Sequence, residues 1–168
     1  MSIYLDYNAS APIAPAVLQV MVDVYQNRSG NADSRTHSYG DEARAVVETA
    51  RKQVASLLGI SPSEVFFTSG ATESSNIAIQ GLAEYARKSG KHHIITSSIE
   101  HKAVLETVRT MERQGFDVDF VAPEPSGRVD AAKIVDKLRD TTLLVSLMHV
   151  NNETGIIQPV EELGAELA

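Results

Sequence analysis

The sequence predicts an α/β fold in which a mostly parallel sheet is covered by helices on both faces. Two observations lead to this prediction. From about residue 65 onward, short apolar runs rich in β-branched residues alternate with longer amphipathic stretches, a pattern typical of parallel strands joined by crossover helices. The 168 residues are 43% hydrophobic and 22% charged, a globular composition that is long enough to bury one domain core.

The first part of the chain is predicted to be helical rather than stranded. Residues 1–15 carry two Ala-Pro steps and are expected to form an extended arm. Apolar residues recur at helical spacing over residues 16–26 and again over about residues 41–58, where Gly59 provides a natural stop. Between these helices lies a polar segment, residues 27–40, whose length favours a functional loop.

In the rest of the chain, predicted strands and helices alternate. The strands are expected at residues 65–68, 94–96, 118–121 and 143–148, and the helices at about residues 73–88, 102–114, 130–139 and from 159 onward. The last helix reaches Ala168 without a polar tail or a cap, where another strand would follow. We therefore expect the sequence to be cut from a longer protein.

Charge and composition argue against several classes of function. The 15 Lys and Arg against 22 Asp and Glu give a net charge of −7, and the basic residues form no run, so nucleic-acid binding is not expected. No apolar stretch is long enough to span a bilayer and the start lacks signal-peptide features, so a cytoplasmic protein without a membrane partner is predicted. The absence of cysteine rules out disulfides, thiolate metal sites and a cysteine nucleophile within this sequence.

The first candidate site is the turn Thr68-Ser69-Gly70-Ala71-Thr72-Glu73, between a predicted strand and a predicted helix. Small residues leave room for a ligand, and the free N–H groups at a helix N-terminus favour a phosphate. The turn lacks the Gly-Lys-Thr/Ser ending of a Walker A loop and the glycine pattern of dinucleotide-binding folds. The structural alternative is a Ser/Thr-capped helix with Glu73 in its first turn.

Two further turns follow the next predicted strands. His101, in Ser97-Ser98-Ile99-Glu100-His101, could stack on a flat ring or move protons, although a helix cap is the alternative. Asn151, Asn152 and Glu153 could hydrogen-bond a planar polar group, or form an Asn-rich turn closed by Gly155. Because carboxyl ends of parallel strands share one sheet edge, the three turns predict one pocket.

No metal site is predicted. His92, His93 and His101 lack a convincing three-ligand spacing with a carboxylate. His92 and His93 straddle the start of a predicted strand, and we expect their side chains to point to opposite faces.

Together these motifs resemble the pyridoxal-phosphate-dependent cysteine desulfurases of the class V aminotransferase group. The resemblance runs in order and spacing across essentially the whole chain, through Tyr4-Leu5-Asp6-Tyr7-Asn8-Ala9, the loop from Gly30-Asn31 to His37-Ser38-Tyr39-Gly40, Phe67 to Ser74, Glu100 to Leu105 and His149 to Glu153. It implies the large domain of a fold-type I pyridoxal-phosphate-dependent transferase. Residues 1–15 would then be an arm that packs with the small domain, and residues 16–168 an incomplete cofactor-binding domain.

The resemblance also implies roles for four residues. Ala71 and Thr72 match the turn that binds the cofactor phosphate. His101 matches the catalytic histidine that stacks on the pyridine ring and takes part in proton transfers. Asn152 matches the asparagine on the 3′-oxygen side of the cofactor.

The implied reaction takes sulfur from L-cysteine and releases alanine, with an enzyme persulfide that serves a sulfur-acceptor protein in iron–sulfur cluster or thiolation pathways. A homodimer is implied as well. In the family, the Schiff-base lysine, the acidic partner of the pyridinium nitrogen and the catalytic cysteine lie beyond the position of Ala168. This chain alone is therefore expected to be inactive.

Three alternatives stay open at this point. A selenocysteine lyase or another class V aminotransferase would share all three turns. A non-catalytic binding module could keep the phosphate turn for another ligand. A split enzyme would receive the lysine from a second chain.

Overall fold

The computed structural model describes residues 3–167. The chain forms two compact units, Met1–Phe67 and Thr68–Ala168, so all three candidate turns belong to the second unit. The division into an arm over residues 1–15 and a domain over residues 16–168 stays a prediction. No helix within residues 3–167 combines the length and the apolar character needed to cross a membrane.

The described part of the first unit contains two α-helices, as predicted. Helix α1 spans Pro15–Asn27 and helix α2 spans Ser38–Leu58. Gly59 ends α2 in the left-handed conformation (φ 67°), which glycine adopts without steric cost. At the other end of α2, the His37 side chain accepts a hydrogen bond from the Gly40 N–H (3.2 Å). Local capping therefore fixes both ends of α2.

The strand predicted at residues 65–68 is not formed, and this prediction was wrong. The segment has no paired strand among the described residues, and Phe66 is 80% exposed. Apolar residues favour a strand only where a neighbouring backbone can pair with them. Here the segment is fastened by a side chain instead, because the Arg51 guanidinium donates to the Val65 carbonyl oxygen and lies 5.2 Å from the Phe67 ring centre. A short 3-10 helix, Pro62–Glu64, precedes it.

The second unit has the predicted alternating architecture. Its elements are α3 (Ala71–Gln80), α4 (Ala83–Ser89), β1 (His93–Ser97), α5 (Lys102–Arg113), β2 (Asp117–Val121), α6 (Ala131–Val135), β3 (Thr142–Ser146) and α7 (Val160–Leu167). The strands form a parallel sheet in the order β2-β1-β3. The predicted parallel sheet is confirmed, with β1 at its centre.

Two predicted helices differ from expectation, one by being divided into α3 and α4 and the other by being shorter. The helix predicted at residues 73–88 is interrupted at Gly81, where a Cβ would lie only 2.4 Å from the Ile77 carbonyl oxygen. The helix predicted at residues 130–139 is reduced to α6, because Lys137 and Leu138 donate to carbonyl groups three residues back, a tightening that ends the α-helix.

Hydrophobic clusters lie on both faces of the sheet. The neighbouring residues Ile94 and Ile95 of β1 are fully buried on opposite faces. The Ile94 cluster receives side chains of α3 and α5, and the Ile95 cluster receives Ile134 of α6 and Leu163 of α7. The predicted covering of the sheet on both faces is therefore confirmed.

The amino end of the sheet holds a buried polar network. His93 is fully buried whereas His92 is exposed, and the expectation that their side chains point to opposite faces stays a prediction. The His93 ring contacts the Asp119 carboxylate through Nε2 (3.1 Å) and the Thr142 hydroxyl through Nδ1 (2.9 Å). This network ties all three strands together at the edge opposite the candidate site.

Candidate functional site

Two of the candidate turns lie side by side because their strands are neighbours. Strands β1 and β3 run parallel, with Thr96 beside Ser146 near their carboxyl ends. The turn after β1 leads to His101 and the turn after β3 leads to Asn152. The third candidate turn begins α3, which packs against α5 on one face of the sheet. The fold therefore brings the three turns to one edge.

The N-terminus of α3 suits an anionic ligand. Ala71 is its first residue and Thr72 its second, and no side chain caps the helix. A Cβ built on Gly70 would meet no atom within 4 Å, so space is open beside the turn. Uncapped amides at the positive end of a helix dipole favour a phosphate group.

The residues around this turn hold its shape. The Glu73 carboxylate accepts hydrogen bonds from the Ser69 backbone N–H (2.6 Å) and the Ser69 hydroxyl (2.8 Å). These two bonds hold the pKa of Glu73 below its usual range. The Thr68 and Ser74 hydroxyls are hydrogen-bonded (2.7 Å). The alternative of a Ser/Thr-capped helix is therefore half correct. Glu73 lies in the first turn of α3, but no Ser or Thr side chain caps the helix.

His101 is the N-cap residue of α5. Its Nδ1 accepts a hydrogen bond from the Ala103 N–H (3.1 Å), and the side chain is exposed. Because Nδ1 acts as an acceptor, the proton of the neutral ring lies on Nε2. The prediction of a helix cap is thus correct, and Nδ1 is the atom that forms it. The cap does not involve Nε2 or the faces of the ring, so a ligand could contact them.

Thr72 and His101 line the same groove. This groove, of about 380 Å³, lies between α3 and α5, with Asn76 and Lys102 also on its wall. The structure therefore brings together the phosphate-binding candidate and the stacking candidate. Asn152 does not line this groove. Its Nδ2 donates to the Glu153 carboxylate (2.9 Å) on the exposed turn after β3.

Asn151 shapes the turn that carries Asn152. It is 8% exposed, and its Oδ1 accepts from the backbone N–H groups of Glu153 and Thr154, each at 3.0 Å. The Gly155 N–H closes the turn onto the Asn151 carbonyl oxygen (2.8 Å). The alternative of an Asn-rich turn is therefore correct for Asn151. The sequence signal was the Asn-to-Gly spacing of this turn.

Glu100 has a structural role that its sequence position did not predict. Its Oε1 accepts hydrogen bonds from the Ser97 hydroxyl (2.8 Å) and the Met148 backbone N–H (2.7 Å). Burial raises the pKa of Glu100, and these two hydrogen bonds partly oppose that shift. A carboxylate between a predicted strand and a predicted helix was the only sequence signal of this role. Its partner Met148 lies 48 residues away, so the contact could not be inferred from the local sequence.

The described residues contain two further features that bear on function. No group of three or more His, Cys, Asp or Glu side chains within residues 3–167 is arranged to hold a metal ion. A cavity of about 760 Å³ lies in the first unit between α1 and α2, beside such apolar residues as Val20, Val24 and Val46. Its charged residues Asp23 and Arg28 pair with each other (3.2 Å).

Comparisons with known proteins agree on one family. Residues 3–168 match the family model described as aminotransferase class-V. The chain is similar to cysteine desulfurase IscS of Vibrio cholerae serotype O1, at 51% identity over 166 residues that cover 98% of this chain and 41% of that protein. Among solved structures, it is similar to a NifS-like protein (TM-score 0.93, 43% identity, 99% of this chain and 45% of the other).

A second similar solved structure is described as SspA in complex with cysteine. Its TM-score is 0.90 at 42% identity, over 98% of this chain and 47% of that chain. The chain thus spans less than half the length of each of these relatives.

Proposed function

Because this chain belongs to the aminotransferase class-V family, we propose that it supplies the first part of the cofactor site of a pyridoxal-phosphate-dependent cysteine desulfurase. The 51% identity to an IscS desulfurase supports the choice of reaction. The chain covers 41% of that relative, so the activity is proposed for the complete protein. The observation that carries the proposal is the groove shared by Thr72 and His101 at the uncapped N-terminus of α3.

The residues present fit this cofactor. The backbone amides of Ala71 and Thr72, with the Thr72 hydroxyl, would hold the phosphate, because they stand at the uncapped end of α3 beside open space. The His101 ring would lie against the pyridine ring, and the Asn152 amide would hydrogen-bond its 3′-oxygen side. When bound, pyridoxal phosphate supplies an electron sink for the carbanion of the amino-acid substrate.

His101 would hold the cofactor ring and exchange protons at Nε2. While Nδ1 accepts the Ala103 N–H, the neutral ring carries its proton on Nε2 and can donate it to a hydrogen bond.

Four further features belong to the same proposal, the first three from the resemblance and the cytoplasmic location from the sequence features described above. L-cysteine is the substrate, a protein accepts the sulfur, the enzyme is a homodimer and it works in the cytoplasm. The sequence contains no cysteine, so the persulfide-forming thiol must come from outside these 168 residues. We expect no alanine release from L-cysteine by this chain alone.

The test uses the protein expressed from its complete gene. We expect a visible absorbance band from bound pyridoxal phosphate. We also expect the release of one alanine for each L-cysteine consumed. Thr72→Val keeps the shape of the side chain and removes its hydroxyl, and should weaken cofactor binding about tenfold. Thr110→Val, a matched change further along the groove wall, is the control.

Three outcomes would contradict the proposal. Absence of the absorbance band would exclude a pyridoxal-phosphate enzyme and favour a non-catalytic binding module. Turnover of L-selenocysteine with none of L-cysteine would identify a selenocysteine lyase instead. Activity only after addition of a second polypeptide would identify a split enzyme.

A further inference from the structure

Two side chains connect the turn after β1 to the turn after β3, and they do so in opposite directions. Glu100, on the first turn, accepts a hydrogen bond from the Met148 backbone N–H of the second (2.7 Å). Asn151, on the second turn, donates through Nδ2 to the Ile99 carbonyl oxygen of the first (3.2 Å). Each turn thus supplies the side chain that binds the backbone of the other. We call this pair of contacts the Glu100–Asn151 bridge.

The bridge is buried, and the polar atoms that form it are hydrogen-bonded. Glu100 is 7% exposed and Asn151 is 8% exposed. The Asn151 amide uses both its oxygen and its nitrogen, and Glu100 Oε1 accepts two hydrogen bonds. Water cannot replace a lost hydrogen-bond partner of a buried group. Removing one partner therefore leaves the other unsatisfied, and its desolvation penalty is not compensated.

Glu100 does not serve as a member of an ion pair. None of the salt bridges within residues 3–167 includes it. A buried carboxylate without a cation is costly, and its burial raises the pKa of Glu100. The Glu100 carboxyl group offers one oxygen that accepts hydrogen bonds from both Ser97 and Met148.

We propose that Glu100 is a positioning residue that sets the distance and orientation between His101 and Asn152. Glu100 immediately precedes His101 in the chain, and Asn151 immediately precedes Asn152. A contact that fixes Glu100 and Asn151 across the two turns therefore fixes the backbone from which both ligand-facing side chains leave. The proposal rests on the proposed function for the roles of His101 and Asn152, whereas the bridge itself does not.

Three variants separate the bridge from simple loss of a charge. Glu100→Gln keeps an acceptor oxygen in the same place, so it should keep the bridge. Glu100→Ala removes the acceptor and leaves the Met148 N–H and the Ser97 hydroxyl without it. Glu84→Ala is the control, because Glu84 is an exposed glutamate that pairs with Lys88 one helical turn away.

The first measurement is amide hydrogen exchange at Met148, in the cofactor-free protein expressed from its complete gene. Glu100→Ala should accelerate this exchange about tenfold or more, since a buried hydrogen bond is lost. Glu100→Gln and Glu84→Ala should leave it near the rate of the unmodified protein. An unchanged Met148 rate in Glu100→Ala would overturn the bridge, whatever the protein binds.

The second measurement is the cofactor's visible circular dichroism, together with its binding constant and the split between kcat and KM for L-cysteine. In Glu100→Ala, we expect a weaker dichroism band, cofactor binding weakened about tenfold and a lower kcat, with recovery in Glu100→Gln. A merely structural role would lower the melting temperature and leave the band of the folded fraction unchanged. That result would overturn the positioning role.

The remaining outcomes are also informative. If the unmodified protein binds no pyridoxal phosphate, the proposed function and the positioning role both fail, while the Met148 exchange rates still decide whether the bridge exists. If Glu100→Ala does not fold, Ser97→Ala replaces it. This milder variant removes one of the two donors to Glu100 and should raise the Met148 exchange rate about threefold.

Discussion

Glu100 illustrates how a single buried carboxyl group makes stability depend on pH. Burial raises the pKa of Glu100 in the folded protein above its ordinary value of 4.5, so the folded state binds this proton more tightly than the unfolded chain does. The associated stability is fully present below pH 4.5. It declines as the pH rises through the folded-state pKa. Glu73 shows the opposite case, because its hydrogen bonds to Ser69 lower the pKa of its carboxyl group.

Glu100→Gln should therefore gain stability relative to the unmodified protein as the pH rises from about 4 towards neutrality. Glutamine keeps the acceptor oxygen and carries no charge to desolvate. Urea unfolding of both proteins across this pH range gives the difference in the free energy of unfolding, in which the contribution of Glu73 cancels because both proteins contain it. A difference that does not change with pH would refute the assigned cause, and Glu84→Gln provides the exposed control.

At the scale of elements, the start of α5 serves two purposes with one residue. The His101 side chain caps the helix through Nδ1 and leaves its ring for the proposed cofactor. The N-terminus of α3 differs, because no side chain caps it. One helix start is thus stabilised by its own residue, whereas the other has no side-chain cap. This difference supports the proposal that a phosphate would bind at α3 rather than at α5.

The two purposes of His101 can be separated by substitution. His101→Asn supplies a good N-cap without an aromatic ring, so its free energy of unfolding should stay close to that of the unmodified protein. His101→Ala loses the cap and should be less stable by about 1 kcal/mol. Both variants should lose the cofactor's ordinary absorbance spectrum to the same extent. Equal stability of the two variants in urea unfolding would contradict the cap.

At the scale of the whole molecule, the sequence predicts best what depends on local pattern and burial. Strands β1, β2 and β3 coincide with apolar runs that the sequence shows directly, although only the central strand β1 is buried along its whole length. The strand predicted at residues 65–68 has the same kind of residues but no paired neighbour in residues 3–167, and pairing cannot be inferred from one segment. The break at Gly81 is linked to the close approach of its backbone to the Ile77 carbonyl group. That distance cannot be predicted from the residue types alone.

The candidate site shows the same limit. His101, Ala71 and Thr72 occupy turn positions that sequence spacing alone identifies. Glu100 and Asn151 act across about 50 residues of chain, so their importance becomes visible only when β1 and β3 lie side by side. The buried His93 network is similar, because Asp119 and Thr142 come from two other strands.

The last prediction concerns the uneven distribution of burial along the chain. Helix α1 has no buried residue, and its apolar side chains Val17, Val20 and Tyr25 are more than half exposed. All five residues of β1, by contrast, are buried at the centre of the sheet. Segments with few buried apolar contacts open at low free-energy cost, whereas the amides of a central strand exchange only through larger unfolding events.

In the 168-residue chain, the amides of α1 should therefore exchange with deuterium at least about tenfold faster than those of β1. Mass spectrometry of peptides that cover Pro15–Asn27 and His93–Ser97 measures both rates in one sample. The α5 peptide is the internal reference, since it is a helix with buried residues Thr107, Val108 and Met111. Exchange of α1 as slow as that of α5 would contradict the prediction, because low burial would then not control how easily α1 opens. Fast exchange of α1 alone would show that its few buried contacts give it little protection.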